Sequence, residues 1–370
     1  LNQDCFATMA SPGEPASGPP MHIIIPDDYQ DCVRYLSCFE KLLGHSVQVF
    51  HDSPKDLASL ASRFALAEAL VLTRERTQIS ATLLEQLPRL RLISQTGRAG
   101  SHIDVEACTR HGVAVAETHS TGTATAELTW ALVLASRRHL VAEANRLRDG
   151  LWQGHLGCKL QGATLGIWGY GRIGKQVAAY GKVFGMRVWI WGSENSRMQA
   201  AADGFEAAPS REAFFAESDV LSLHLRLLRA THGLVTRSDL QRMKPSALFV
   251  NTSRAELLQP GALERAVRHG RPGFAAVDVY ESEPVLGARH PLLHLPNVLC
   301  TPHLGFVERD NYESFYGQAF DNILWYLQGR QDHLLNPQAI SHPRQKAALA
   351  GFTVGTSPKG YPKLMNHPQG

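Results

Sequence analysis

The run Thr164-Leu165-Gly166-Ile167-Trp168-Gly169-Tyr170-Gly171-Arg172-Ile173-Gly174 limits what this chain can fold into more than any other stretch. An apolar strand signal ends in the pattern G-x-G-x-x-G and passes at once into helix-forming residues, Lys175 to Gly185. A further strand signal, Arg187 to Trp191, follows. Each glycine has a separate duty: Gly169 permits the tight turn, Gly171 lets the backbone approach a pyrophosphate, and Gly174 lets the helix pack close to the sheet. The amino end of that helix then offers unpaired N–H groups and a positive dipole end to the anion. Glycines at this spacing also occur in ordinary turns. The strand before and the helix after turn the pattern into a nicotinamide or flavin dinucleotide site.

At 370 residues the chain is long for one core, so two domains are expected. It carries 37 basic and 34 acidic residues, a formal net charge of +3, with no block of like charge. No nucleic-acid or membrane partner is therefore expected. No apolar run reaches the roughly 20 residues of a membrane span. The richest one, near Ala126 to Ala135, contains Thr129, runs into Ser136 and Arg137-Arg138, and reads as a buried helix. The six cysteines form no C-x-x-C pair, which fits a reduced cytoplasmic location. The 17 histidines form no H-E-x-x-H or Cys/His ligand spacing, so no metal site is expected.

From Met21 onward, strand signals alternate with helical stretches: Ile23 to Ile25, Ser46 to Phe50, Ala69 to Thr73, Leu90 to Ser94 and Val113 to Ala116. Such alternation predicts an α/β fold with parallel sheets. A Ser/Thr/Gly-rich hinge near Glu117 to Thr123 closes this unit, and one long amphipathic helix is predicted from about Thr125 to Asp149. The second unit holds the glycine turn and strands at Val220 to Leu223, Leu248 to Asn251, Phe274 to Val279 and Val298 to Thr301. A last helix is predicted over roughly Glu308 to Gln328. Residues 1–20, rich in Ser, Pro and Gly, read as a disordered or spurious extension ahead of a natural start at Met21, and 338–370 as a tail.

Four segments of the second unit read as strand-end loops with polar groups, where ligands bind in open α/β sheets. They are His224 to Leu227, Asn251 to Arg254, Asp278 to Pro284 and Thr301 to Gly305. An Arg, a Glu and a His so placed are the parts needed to reduce a keto acid. The guanidinium fork holds a carboxylate and polarises the neighbouring carbonyl. The imidazole delivers a proton near neutrality, and a carboxylate beside it fixes its orientation. Each residue alone reads as an ordinary surface or structural group; their joint appearance after a dinucleotide turn carries the argument.

With these elements in this order and spacing, the chain from about Met21 to Pro337 resembles the D-isomer-specific 2-hydroxyacid dehydrogenases. That family includes 3-phosphoglycerate dehydrogenase and glyoxylate/hydroxypyruvate reductase. The resemblance implies two Rossmann-like or flavodoxin-like domains, with a nucleotide-binding domain (121–305) inserted in a split substrate-binding domain (21–120 and 306–337). It implies a homodimer acting on a small 2-keto or 2-hydroxy acid. The catalytic set carries over as Arg254, Glu283 rather than Glu281, and His303. Tyr170, Arg172 and Ile173 would lie with Gly169, Gly171 and Gly174 against the pyrophosphate. Leu225 and Thr231 would lie on the ribose and adenine side, Thr252 toward the nicotinamide, and Asp278 would face its carboxamide, with Asn251 a further cofactor-binding residue. Gly97, Arg98 and Ala99 would offer backbone N–H groups to the substrate carboxylate.

Three departures from the family pattern matter. Gly192 stands where an acid usually grips the ribose 2′-OH; Glu194 can substitute, favouring NAD, or Ser193, Ser196 and Arg197 can accept a phosphate, favouring NADP. NAD is the expectation and NADP the alternative. Arg98 stands where an apolar residue is common, and predicts an acid with a second negative group. Arg226 replaces the proline of H-x-P-L. Outside the enzyme class, corepressors similar to C-terminal-binding proteins share this fold and triad and use the dinucleotide as a signal.

Overall fold

The computed structural model describes residues 20–345, and the chain divides into two units at Thr118/His119 and Phe315/Tyr316. The expectations for residues 1–19 and 346–370 lie outside the described residues. In the first unit five strands, β1 (His22–Ile25), β2 (Ser46–Val49), β3 (Ala69–Leu72), β4 (Leu92–Gln95) and β5 (Ala114–Glu117), form one parallel sheet. Their order is β2-β1-β3-β4-β5, the flavodoxin-like arrangement. Helices α1 (Leu57–Phe64), α2 (Ala81–Glu85) and α3 (Val105–Arg110) begin on Asp56, Ser80 and Asp104, whose side chains accept the N3 amides. Strands β3 and β4 are buried along their whole length, which explains their unbroken apolar sequence signal.

The second unit opens with α4 (Thr123–Arg137) and α5 (Leu140–Arg148). The single helix expected over Thr125 to Asp149 is thus two. His139 between them takes a left-handed backbone (φ +53°) and stacks on His155 and against Phe274. The sheet follows: β6 (Thr164–Trp168), β7 (Arg187–Trp191), β8 (Glu206–Ala207), β9 (Val220–Leu223), β10 (Leu248–Asn251), β11 (Phe274–Val277) and β12 (Val298–Cys300). Helices α6 (Arg172–Val183), α7 (Glu194–Ala202), α8 (Arg211–Glu217), α9 (Arg237–Arg242) and α10 (Ala262–Arg268) intervene. Strand order β12-β11-β10-β9-β6-β7-β8 reverses direction between β6 and β9, so the glycine turn after β6 sits at the topological switch point. One face of the sheet buries Trp168, Phe214, Phe215 and Phe249; the other packs α4 and α6 through Trp130, Val133, Val177 and Ala178. Truncating a Phe from such a core costs roughly 3–5 kcal/mol.

Helix α11 (Arg309–Leu327) starts in the second unit and ends in the first. Residues 338–345, expected as tail, are folded onto the first unit. A 3-10 helix covers Pro337–Ser341, Gln345 is buried, and its amide donates to the carbonyls of Arg91 and Gly112 at 2.8 Å each. Side-chain amides, not apolar periodicity, hold this segment, so its sequence carried no signal. Among the described residues no helix is long and apolar enough to cross a membrane.

Candidate active site

The glycine turn is shaped for an anion. Gly169 takes φ +101°, and a Cβ there would lie 2.5 Å from the His224 carbonyl oxygen; one on Gly174 would strike the Gly169 carbonyl. Gly171 differs, because a Cβ there would enter open space. The missing side chain leaves room rather than relieving a clash. No side chain caps α6, so the first-turn amides of Arg172, Ile173 and Gly174 keep their donors for a ligand. These residues fit a dinucleotide pyrophosphate.

The flanking residues divide. Leu225 packs beside the Gly169 turn. The Tyr170 side chain is turned to Asp203: its hydroxyl donates there at 2.9 Å and its ring is buried. Arg172 reaches the Ser120 carbonyl. Thr231 closes its own loop, donating to Arg226 O and accepting the Leu228 amide at 2.8 Å. At the end of β7, Glu194 is exposed at the first position of α7, Ser193 caps that helix, and the Arg197 guanidinium lies 5.2 Å from the centre of the Trp191 ring.

Three successive strand ends supply the polar set. After β10, Asn251 Oδ1 accepts the Ser253 amide at 3.0 Å, while its Nδ2 donates to Arg254 O at 2.9 Å. Ser253 Oγ donates to Leu223 O at 2.7 Å, tying the loop back to β9. Arg254 therefore leaves from a braced backbone, and its Nη1 donates to Ser253 O at 2.7 Å. After β11, Glu283 Oε1 accepts the Tyr280 amide at 3.0 Å, and Oε2 lies 2.6 Å from His303 Nδ1. Glu281 pairs instead with His290, at 3.1 Å. Burial raises Glu283, but the His303 hydrogen bond and charge, the Tyr280 amide and the Arg254 charge outweigh it and hold the carboxyl below its ordinary range. His303 takes φ +52°, and with Nδ1 on Glu283 its Nε2 is the nitrogen left for a substrate.

Asp278 braces its neighbouring loop. It is fully buried, Oδ1 accepts Thr301 Oγ1 (2.6 Å) and the Leu304 amide (2.7 Å), and Oδ2 accepts the Gly305 amide (2.8 Å). Burial pushes it above the ordinary carboxylate range against these bonds. Its visible role is to hold the loop that carries His303. Thr252 likewise turns its hydroxyl to Thr129. His224 is no charged acid, since burial pushes its imidazole down to about 3.

In the first unit, two of the three amides expected for substrate are already engaged. Gly97 N–H donates to Thr118 Oγ1 at 2.6 Å and Ala99 N–H to Glu117 Oε2 at 3.0 Å. Arg98 is exposed. Arg74, which the sequence argument missed, lays its guanidinium across Gly97, where a Cβ would otherwise stand. Its signal was its place in Thr73 to Thr77, a charged loop directly after β3. One trio among the described residues, Asp28, Asp31 and His51, lies close enough for a metal ion. Its members are engaged with the Val33 amide, Arg34 and the Asp28 carbonyl.

Comparison with known proteins bears on family and fold. Residues 130–305 match the family model for the D-isomer specific 2-hydroxyacid dehydrogenase, NAD binding domain. The chain is 38% identical over 309 residues to a glyoxylate reductase of Aeropyrum pernix, covering 81% of this chain and 90% of the relative. It is 34% identical over 301 residues to a glyoxylate/hydroxypyruvate reductase B of Escherichia coli, covering 78% and 91%. Among solved structures, a phosphoglycerate oxidoreductase from Vibrio cholerae superposes with a TM-score of 0.82 at 52% identity, over 84% of this chain and 100% of that one.

Proposed function

Because the chain belongs to the D-isomer-specific 2-hydroxyacid dehydrogenases, which move a hydride between a nicotinamide dinucleotide and a 2-keto or 2-hydroxy acid, we propose that Arg254, Glu283 and His303 carry that chemistry here. The 2.6 Å contact between His303 Nδ1 and Glu283 is the observation on which the proposal rests. When bound, the nicotinamide supplies the hydride to the carbonyl carbon. Arg254 holds the carboxylate and the carbonyl oxygen in its planar fork and draws electron density toward that oxygen. His303 donates its Nε2 proton to the oxygen as the new C–H bond forms, so keto acid, hydride and proton sum to the hydroxy acid. Glu283 stays ionised and fixes the imidazole through Nδ1, so that Nε2 faces the oxygen. In the reverse direction His303 takes the proton back.

The pyrophosphate site is assigned to Gly169, Gly171, Arg172, Ile173 and Gly174, with Tyr170 contributing backbone and Leu225 packing behind. The coenzyme is proposed as NAD, with Glu194 on the ribose. Arg197 beside an acid-free strand end supports NADP as an accepted second coenzyme. The first unit is assigned the substrate. With the Gly97 and Ala99 amides engaged, its selectivity falls to Arg98 and Arg74, which favour a keto acid with a second anionic group. A homodimer is proposed through α5 and the segment after it, where Leu147, Trp152 and Leu156 are 61%, 74% and 94% exposed, an apolar surface suited to a second copy.

Oxidation of NADH, then NADPH, by purified protein with glyoxylate, hydroxypyruvate, pyruvate, 2-ketoglutarate or phosphohydroxypyruvate tests this reading. Turnover fastest with a dianionic acid is expected. Bound dinucleotide without turnover on any of them would overturn it in favour of a dinucleotide sensor.

A further inference from the structure

Both catalytic loops of the second unit reach the same turn of α4, and we propose that Thr125 and Thr129 are positioning residues that set the spacing of Arg254 and His303. The residues are four apart and so share one face of the helix. Thr129 Oγ1 lies 2.8 Å from the Thr125 carbonyl oxygen and 2.7 Å from Thr252 Oγ1. A carbonyl only accepts, so the single Thr129 hydroxyl proton goes to it, and Thr252 must be the donor in the second bond. Thr252 stands two residues before Arg254, and both threonine side chains are buried. Thr125 Oγ1 donates to the Gly305 carbonyl at 2.7 Å, two residues beyond His303.

Gly305 is thereby gripped at both ends, its N–H by Asp278 and its C=O by Thr125. A Cβ on Gly305 would lie 3.2 Å from Asp278 Oδ2 and 3.3 Å from Thr125 Cγ2, a tight fit that either support would have to yield a few tenths of an ångström to admit. The grip has a purpose close by. His303 is a non-glycine residue in a left-handed conformation, which persists only where its surroundings over-determine it. Back-bonding of Thr129 to Thr125 O is common for a threonine in a helix and needs no further partner. Acceptance from Thr252, and the second threonine on Gly305, exceed that ordinary role. The two loops are therefore registered against each other through one helix turn, and hydride transfer is sensitive to misplacement of about 1 Å.

The proposal rests on the roles given above to Arg254 and His303. The test compares Thr129→Val, Thr125→Val, Thr129→Ser and Thr125→Ser, with Thr252→Val removing the same bond from its donor end. Steady-state kinetics are read beside the NADH dissociation constant and the melting temperature. Expected for each Val variant is a kcat roughly tenfold or more below wild type, within the 10²-fold that such misplacement can cost, at unchanged NADH affinity. The Ser variants should recover most of the rate, because they keep the hydroxyl. Val variants that melt earlier yet keep wild-type kcat would overturn the proposal alone, as would Ser variants as slow as the Val ones. A wild-type protein without turnover would overturn both this proposal and the functional reading beneath it.

Discussion

The loops that carry Arg254, Glu283 and His303, and the loop Thr96 to Ser101 of the first unit, all follow parallel strands, yet they use their backbones in opposite ways. In the second unit, side chains that do no chemistry brace the main chain: Asn251 and Ser253 under Arg254, Asp278 and Thr125 under Gly305. The reactive groups are left at the tips of fixed loops. In the first unit the amides that could have bound a ligand are the bracing groups, on Thr118 and Glu117. Beside them stands charge on side chains, the exposed Arg98 and the half-buried Arg74 laid across Gly97. The difference separates two kinds of contribution. On the proposed function, fixed geometry would support a reaction step shared by every substrate, whereas side-chain charge would select among substrates by a small increment.

The comparison breaks most visibly if the second-unit loops prove dispensable. His303→Ala should lower kcat by about 10²–10⁴ for every keto acid, with NADH affinity nearly unchanged, as for loss of a general acid. Arg254→Lys should fail similarly, since one ammonium cannot reproduce the fork. Steady-state kinetics with an NADH titration read both; retained turnover would remove these residues from the chemistry. Glu283→Gln asks a subtler question. The carboxylate is held below its ordinary range and so is ionised at neutral pH, where it accepts from His303 Nδ1. Glutamine withdraws that charged acceptor from the imidazole. The kcat for reduction should fall roughly tenfold, the equivalent of one hydrogen bond to a charged group of about 1.5 kcal/mol, with NADH affinity unchanged. A kcat equal to wild type would reduce Glu283 to a packing residue.

Arg197 sharpens the comparison from within the second unit, since it contributes charge rather than a braced loop. It lies over Trp191, and the proposed function gives it a ribose 2′-phosphate. Arg197→Ala should raise KM for NADPH about tenfold, the equivalent of one charge-assisted hydrogen bond of roughly 1.5 kcal/mol, and leave NADH nearly unaffected. An equal effect on both coenzymes would place Arg197 away from the 2′ position.

How much of this was legible in the sequence follows from what held each part. Strands β7, β9 and β10 match their expected bounds to the residue, because apolar runs end there in polar or glycine residues. Strand β8 was invisible: Glu206 and Ala207 are both exposed, and only pairing with Trp189 and Ile190 makes them a strand. The break at His139 depends on stacking with His155, sixteen positions away. The strand-end loops were readable as chemistry because residue type and order suffice there. The use of each polar group was not. That Tyr170 turns to Asp203, Asp278 to the His303 loop and the Gly97 amide to Thr118 depends on partners 33, 27 and 21 residues distant.

Arg98 gives the smallest expected effect and the most direct test of the contrast between the two units. Its side chain is exposed, so its interaction with an anion is screened, and such contacts contribute roughly 0.2–1 kcal/mol. Arg98→Ala should then raise KM for phosphohydroxypyruvate or 2-ketoglutarate by no more than about fivefold, and leave KM for glyoxylate and pyruvate unchanged. No change in kcat is expected for either group, because the loop holds no proton donor for the reaction. The selectivity matters more than the size. A uniform rise in KM across all five acids would mean that the loop grips the shared carboxylate after all, through the Arg98 amide or through rearranged bonds at Gly97 and Ala99. A fall in kcat would go further, and would place a first-unit residue among the positioning groups of the reaction.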